Sequence, residues 1–237
     1  HNPYQTAPRK YQEMFDPEKI KLRPNGGSRK DLAGYYAHIA AMDDCMGELM
    51  QTIDDAGIRD NTILVFTSDH GDMLGNHGLW AKRLYYEGSA CVPMLLVGAK
   101  GCNRVGFNRE DNRLVALQDV MPTLLTMAGL QVPDTVEGIS MVGESSRSHL
   151  YGEMGEGATA TRMIHDGRHK LIYYPVGNRR QLFDLEEDPQ ELTNLSDDPA
   201  YAGRLGELEQ ILVAQMYGGD TAWIAGDQLV GTDDIEW

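Results

Sequence analysis

Residues Thr67 to Lys82 gather two carboxylates, two imidazoles, an ammonium and three glycines into one short stretch. Carboxylate oxygen and neutral imidazole nitrogen both ligate divalent cations, and adjacent positions on a turning backbone can converge on one ion, so Asp69 and His70 form a candidate metal pair. Gly71, Gly75 and Gly78 permit the tight turns that such convergence requires. His77 and Lys82 add groups that can face an anion. Taken singly, Asp69 reads as a turn or helix-cap residue, and His70 and His77 as ordinary polar loop residues. Their sharing of one glycine-rich loop with Lys82 favours a site.

The elements around this loop place it where ligands bind. From Arg29 to about Ala56, apolar residues recur at Leu32, Tyr35, Tyr36, Ile39, Met42, Met46, Leu49, Met50 and Ile53, the spacing of an amphipathic helix. Ser28 supplies a start and Gly57 a stop. Thr62–Thr67 is a continuous apolar run, read as a strand covered on both faces in a parallel sheet, and Pro93–Gly98 as a second one. Asp69 and His70 then follow the carboxyl end of the first strand, where α/β sheets bind ligands. Leu117–Met127 reads as a helix closed by Gly129. After about residue 145 the pattern changes to short β-like runs at His149–Met154, Thr161–Asp166, His169–Tyr174 and Gln181–Leu185, an antiparallel meander. Tyr201–Met216 has the spacing of a helix packed on it. Residues 1–28, with four prolines and Asn25-Gly26-Gly27, read as loop. The domains expected are an α/β part over 1–145 and a small antiparallel subdomain with helix and tail over 146–237.

The chain has 237 residues and 41% hydrophobic content, enough for a substantial core. A net charge of -15 argues against nucleic acid or an anionic membrane as partner, so an anionic substrate needs a local positive cluster. No run approaches the roughly 18 apolar residues of a membrane span. Cys45, Cys91 and Cys102 form no CxxC pair and no even-numbered framework, and the compartment stays open.

Ser68-Asp69-His70-Gly71, then Leu74-Gly75-Asn76-His77-Gly78 and Trp80-Ala81-Lys82, resembles the pattern of sulfatases of the alkaline-phosphatase superfamily. Met42-Asp43-Asp44 with Gly47, Asp119 with Pro122-Thr123-Leu124-Leu125 and Ala128-Gly129, and Leu182-Phe183-Asp184-Leu185 through Leu195 extend the likeness to about residue 216. It implies an alkaline-phosphatase-like α/β sandwich portion followed by the small antiparallel subdomain. It also implies that Asp69 and His70 ligate a divalent ion, calcium by family resemblance. By the same likeness Lys82 contacts the sulfate and assists the leaving oxygen, and His1 of His1-Asn2-Pro3-Tyr4 faces the sulfate. His77 is a substrate contact or a loop-holding residue.

The formylglycine that such enzymes make from a Cys/Ser-x-Pro-x-Arg motif has no counterpart here. Cys45, Cys91 and Cys102 precede Met46-Gly47, Val92-Pro93 and Asn103-Arg104. The chain therefore reads as a C-terminal portion whose nucleophile lies upstream. Its expected substrate is a small sulfated ester, a sulfated sugar, choline sulfate or an aryl sulfate. A phosphodiesterase or phosphonate monoester hydrolase of the same superfamily is an alternative, since the same groups suit a phosphoryl oxyanion. A non-catalytic interaction module, self-associating through exposed core surface, is another. The purified chain is expected to show little or no sulfatase turnover, and robust activity in a sulfate-release assay would contradict this.

Overall fold

The computed structural model describes residues 3–82, 84–102, 105–106 and 108–233. His1 and Arg83 lie outside the described residues, as do Asp234 and Trp237 of the tail. The chain forms two compact units. The first comprises residues 1–83, 88–108 and 127–129, and the second residues 84–87, 109–126 and 130–237.

In the first unit the N-terminal segment is ordered into short turns where its prolines and glycines suggested loop. Tyr4–Thr6 and Pro17–Lys19 are single 3-10 turns and Arg9–Gln12 (α1) is one α-helical turn. Burial explains the order, because Tyr4, Ala7 and Tyr11 are covered and the last two pack with Ala37 of the long helix. That helix, Arg29–Asp55 (α2), begins as expected: Ser28 Oγ accepts from Asp31 N at 3.2 Å. Such a cap contributes about 1 kcal/mol. Beyond it Gly57 takes φ 66°, a left-handed turn that glycine adopts without steric cost.

Strand Leu64–Thr67 (β1) leads into the glycine-rich loop, Glu87–Ala90 forms a helical turn (α3), and Met94–Val97 (β2) follows. The parallel pairing expected from the apolar runs is wrong. β1 and β2 are antiparallel, with Leu64 opposite Val97 and Thr67 opposite Met94. A continuous apolar run reports burial but carries no direction. A parallel return needs a crossover, usually helical, and the described residues between these strands form only turns and α3. Coverage on both faces also fails for β2, where Leu95 and Val97 are exposed. On α2, Ile39, Met42 and Leu49 are exposed as well.

The expected helix is a 3-10 turn at Leu117–Asp119 running into Val120–Met127 (α4), which lies in the second unit except for its last residue, Met127, assigned to the first. Leu150–Met154 (β3), Thr161–His165 (β4), His169–Tyr174 (β5) and Arg179–Asp184 (β6) form an antiparallel sheet in sequence order, the meander anticipated. Ala202–Gln215 (α5) packs on it through Leu208 and Leu212, both fully buried with Ile164, Leu171, Tyr173 and Leu182. The tail makes a hairpin of Ile224–Ala225 (β7) and Gln228–Leu229 (β8), and Leu229 joins that core. It covers the small sheet.

Buried ion pairs lock this unit. Arg162 grips Asp220 with two bonds of 2.5 and 2.7 Å and stacks on Trp223 at 5.2 Å. Lys170 is 1% exposed and donates to Tyr85 O at 2.8 Å, to Glu191 at 3.0 Å and to Glu87. Burial pushes the Glu191 carboxyl up, and the Lys170 charge only partly offsets it. Asp119, 1% exposed, accepts two bonds from Arg147 and one each from the amides of Ala116 and Ile139. Burial opposes its ionisation, yet these donors outweigh burial and hold the carboxyl below its ordinary range.

Lys170→Met leaves two carboxylates without their cation and is expected to destabilise the second unit by about 3–5 kcal/mol in urea unfolding; a loss under 1 kcal/mol would contradict this. A depressed folded-state pKa makes the Asp119 contribution complete above its unfolded value of about 3.9 and lost as pH falls below it. Asp119→Asn should therefore flatten the acid limb of a stability-versus-pH curve, and an unchanged limb would contradict the assignment.

Candidate metal and anion site

The site loop follows the carboxyl end of β1 and is built from main-chain bonds that its sequence makes possible. Leu74, His77 and Ala81 adopt left-handed backbone at φ 49°, 55° and 61°, beside Gly75 at 84° and Gly78 at 71°. Each such non-glycine residue costs roughly 1–2 kcal/mol, so the loop persists only because other contacts hold it. Gly75 N donates to Leu79 O at 2.8 Å, Asn76 N to Met73 O at 2.8 Å and Met73 N to Ala81 O at 2.8 Å. Close approach also forces glycine at Gly71, where a Cβ would stand 2.2 Å from Gly88 O, and at Gly75, where it would stand 2.4 Å from Gly27 Cα.

Asp69 and His70 are brought together. Asp69 Oδ1 accepts from His70 N at 3.0 Å, while Oδ2 lies 3.4 Å from His70 Nε2. His70 Nδ1 is 2.8 Å from Gly71 O. A carbonyl only accepts, so Nδ1 is the nitrogen that donates to it, and Nε2 is the nitrogen turned to the Asp69 side. A backbone acceptor at Nδ1 is the usual orienting partner of a histidine that would bind a metal through its other nitrogen. The pair fits a divalent cation as two of its ligands. Among the described residues no group of three or more His, Cys, Asp or Glu side chains is arranged to hold a metal. Desolvation works against ionisation of the exposed Asp69, but the neighbouring His70, the backbone amides and Lys82 together draw its pKa down. Lys82 thus acts on the same carboxylate, and its side chain is exposed. His77 stands half-buried in the turn Asn76–Gly78 on the same loop. His1 cannot be placed, since it lies outside the described residues.

Sequence reasoning passed over Asp72. Its Oδ1 accepts from Leu74 N at 2.9 Å and Ala81 N at 3.2 Å, and its Oδ2 from Tyr4 Oη at 2.8 Å. An aspartate bonding the amide two residues on is an Asx turn, a signal present in Asp72-Met73-Leu74 that could have marked the residue. A groove of about 660 Å³ in the second unit, lined by Glu153, Arg162, Tyr217 and Trp223 among others, contains none of the site residues named in the sequence.

The sequence pattern of the Sulfatase family matches residues 1–130, and that of the N-sulphoglucosamine sulphohydrolase C-terminal family residues 75–217. The chain belongs to the sulfatase family. It is 33% identical over 204 residues to the arylsulfatase of Clostridium perfringens, covering 84% of this chain and 42% of that protein. It is 36% identical over 180 residues to the choline-sulfatase of Rhizobium meliloti, covering 72% and 34%. The phosphonate monoester hydrolase of Agrobacterium radiobacter superposes with a TM-score of 0.77 at 27% identity, covering 93% of this chain and 56% of that one. BT4656, solved in complex with its substrate D-glucosamine-2-N,6-O-disulfate, gives 0.64 at 26% identity, covering 78% and 40%. These likenesses establish the alkaline-phosphatase-like α/β architecture. The chain spans between 34% and 42% of the length of these two curated relatives.

Two protein ligands leave a calcium ion short of its usual six to eight oxygens. The chain is therefore expected to bind calcium no tighter than about 10⁻⁴ M by calorimetry. His70→Ala should abolish what binding there is. Micromolar affinity, or binding indifferent to that change, would contradict the two-ligand site.

Proposed function

We propose that this chain supplies part of the active site of a sulfuric-ester hydrolase. Asp69 and His70 hold a divalent cation, calcium by family resemblance, and Lys82 and His1 face the sulfate. The observation that carries the reading is the Asp69–His70 pair, with Nε2 aimed at the carboxylate 3.4 Å away on a loop that also bears Lys82. The relatives named as sulfatases support it at the level of the reaction class.

Electrostatics explains why these groups are needed. A chain of net charge -15 repels an anionic ester. Opposite unit charges 4 Å apart attract by about 1 kcal/mol in water and about 4 kcal/mol near a protein surface, so a few close cations reverse a diffuse repulsion. A divalent ion held by Asp69 and His70 would supply concentrated positive charge to an anionic ester. The Lys82 ammonium donates its Nζ–H groups to the ester; as an oxygen nucleophile bonds to sulfur and the S–O bond to the leaving group breaks, the leaving oxygen takes a proton from Nζ. The imidazole of His1 donates to a sulfate oxygen. In this reading His77 is a further substrate contact from the same loop. Formylglycine, the family's nucleophile, belongs to a Cys/Ser-x-Pro-x-Arg segment that this sequence does not contain.

A phosphonate monoester hydrolase is the second reading, favoured by the TM-score of 0.77 to the Agrobacterium enzyme. The same cation and ammonium serve a phosphoryl oxyanion equally well.

Assays of the complete gene product on aryl sulfate and aryl phosphonate monoesters separate the two. The proposal expects a higher kcat/KM on the sulfate, and a drop of about 10²–10³-fold in kcat with Lys82→Ala while the melting temperature is held. A preference for the phosphonate would establish the second reading. Activity indifferent to Lys82 would remove both.

A further inference from the structure

We infer that Asp72 is a positioning residue that holds the backbone carrying Lys82 in register with the N-terminal segment through Tyr4. This rests on the anion-binding role proposed for Lys82 and deepens it.

One carboxylate receives donors from three places in the sequence. Oδ1 takes the amides of Leu74 and Ala81, and Oδ2 takes the phenol of Tyr4, 68 residues away. The Ala81 amide precedes Lys82 directly, and Met73 N closes the same ring from the other strand of the loop by donating to Ala81 O. Ala81 itself sits at φ 61°, a conformation that alanine leaves unless bonds on both sides retain it. Because the Lys82 side chain is exposed, packing does not fix its position; its anchored backbone must.

Tyr4 carries the other half of the connection. It is 2% exposed, and its ring lies 6.2 Å from Tyr35 and 6.3 Å from Trp80. Its carbonyl oxygen would stand 2.4 Å from a Cβ at Gly34, so the segment lies directly on α2. Burial, reinforced by the Asp72 carboxylate, pushes the phenol far above its ordinary range, so it remains a donor throughout the working pH of proteins. Asp72 therefore receives a fixed donor on a fixed segment and transmits that fixity to Ala81. A bond to a charged acceptor is roughly twice as strong as a neutral one, enough to hold a left-handed residue in place.

Amide hydrogen exchange on this chain tests the inference directly. Asp72→Ala should speed exchange at Leu74 and Ala81 by about 10–100-fold. Asp72→Asn, which keeps an accepting oxygen, should restore most of the protection, and Tyr4→Phe should give a smaller acceleration at Ala81. The binding of inorganic sulfate, followed at the Ala81 and Lys82 amides, should weaken about 5-fold or more in Asp72→Ala. Lys82→Ala is the control. Unchanged exchange at Ala81 in both Asp72 variants overturns the inference, as does sulfate binding that depends on Lys82 yet ignores Asp72. Sulfate binding indifferent to Lys82, with exchange altered as described, would leave the positioning role standing and remove the proposed function of Lys82 instead.

Discussion

Three hydrogen-bond donors converge on the two oxygens of Asp72 and, with the main-chain bonds around them, order the loop that bears the candidate site. Five residues between Leu74 and Ala81 occupy left-handed backbone, three of them without the freedom of glycine. Left to its own preferences this stretch would relax to ordinary turns. The carboxylate satisfies two of its amides, and Tyr4 ties the carboxylate to a segment packed on α2. Gly71 and Gly75 serve the same end by allowing main chain to approach main chain at distances a side chain would forbid. The strain falls in the loop proposed to present a carboxylate and an imidazole to a cation and an ammonium to an anion.

The second unit is organised by a different balance. Its meander and α5 bury a continuous apolar core, and the charges inside it are matched in place: Arg162 by Asp220, Arg147 by Asp119, Lys170 by Glu87 and Glu191. Buried pairs of this kind add little net stability compared with apolar residues of equal size. Removing one partner is costly, and that cost favours a single arrangement of the sheet and its connections.

Much of this was legible in the sequence because it depends on local pattern. The period of α2, its Ser28 cap, the short β-like runs of β3 to β6 and the spacing of α5 each follow from side chains within one turn or one strand. The proximity of Asp69 and His70 was readable for the same reason: the two residues are adjacent, and the glycines that turn the backbone are beside them. What was not legible depends on distant partners. The direction of β2 against β1 is set by the path of the connection, which an apolar run does not encode. The turns of residues 3–19 arise from burial of Tyr4, Ala7 and Tyr11, against which proline and glycine content argued for loop. Asp72 showed a local Asx signal, but its bond to Tyr4 joins residues 68 apart. No periodicity reports such a contact.

The central claim is that Asp69 and His70 hold a cation beside an anion received by Lys82. A crystal structure of the complete gene product grown with calcium and soaked with inorganic sulfate tests it most directly. The account predicts a cation bonded to both Asp69 and His70 Nε2, with a sulfate within hydrogen-bond distance of Lys82 Nζ. A cation held by other residues, or sulfate bound only away from Lys82, would contradict it.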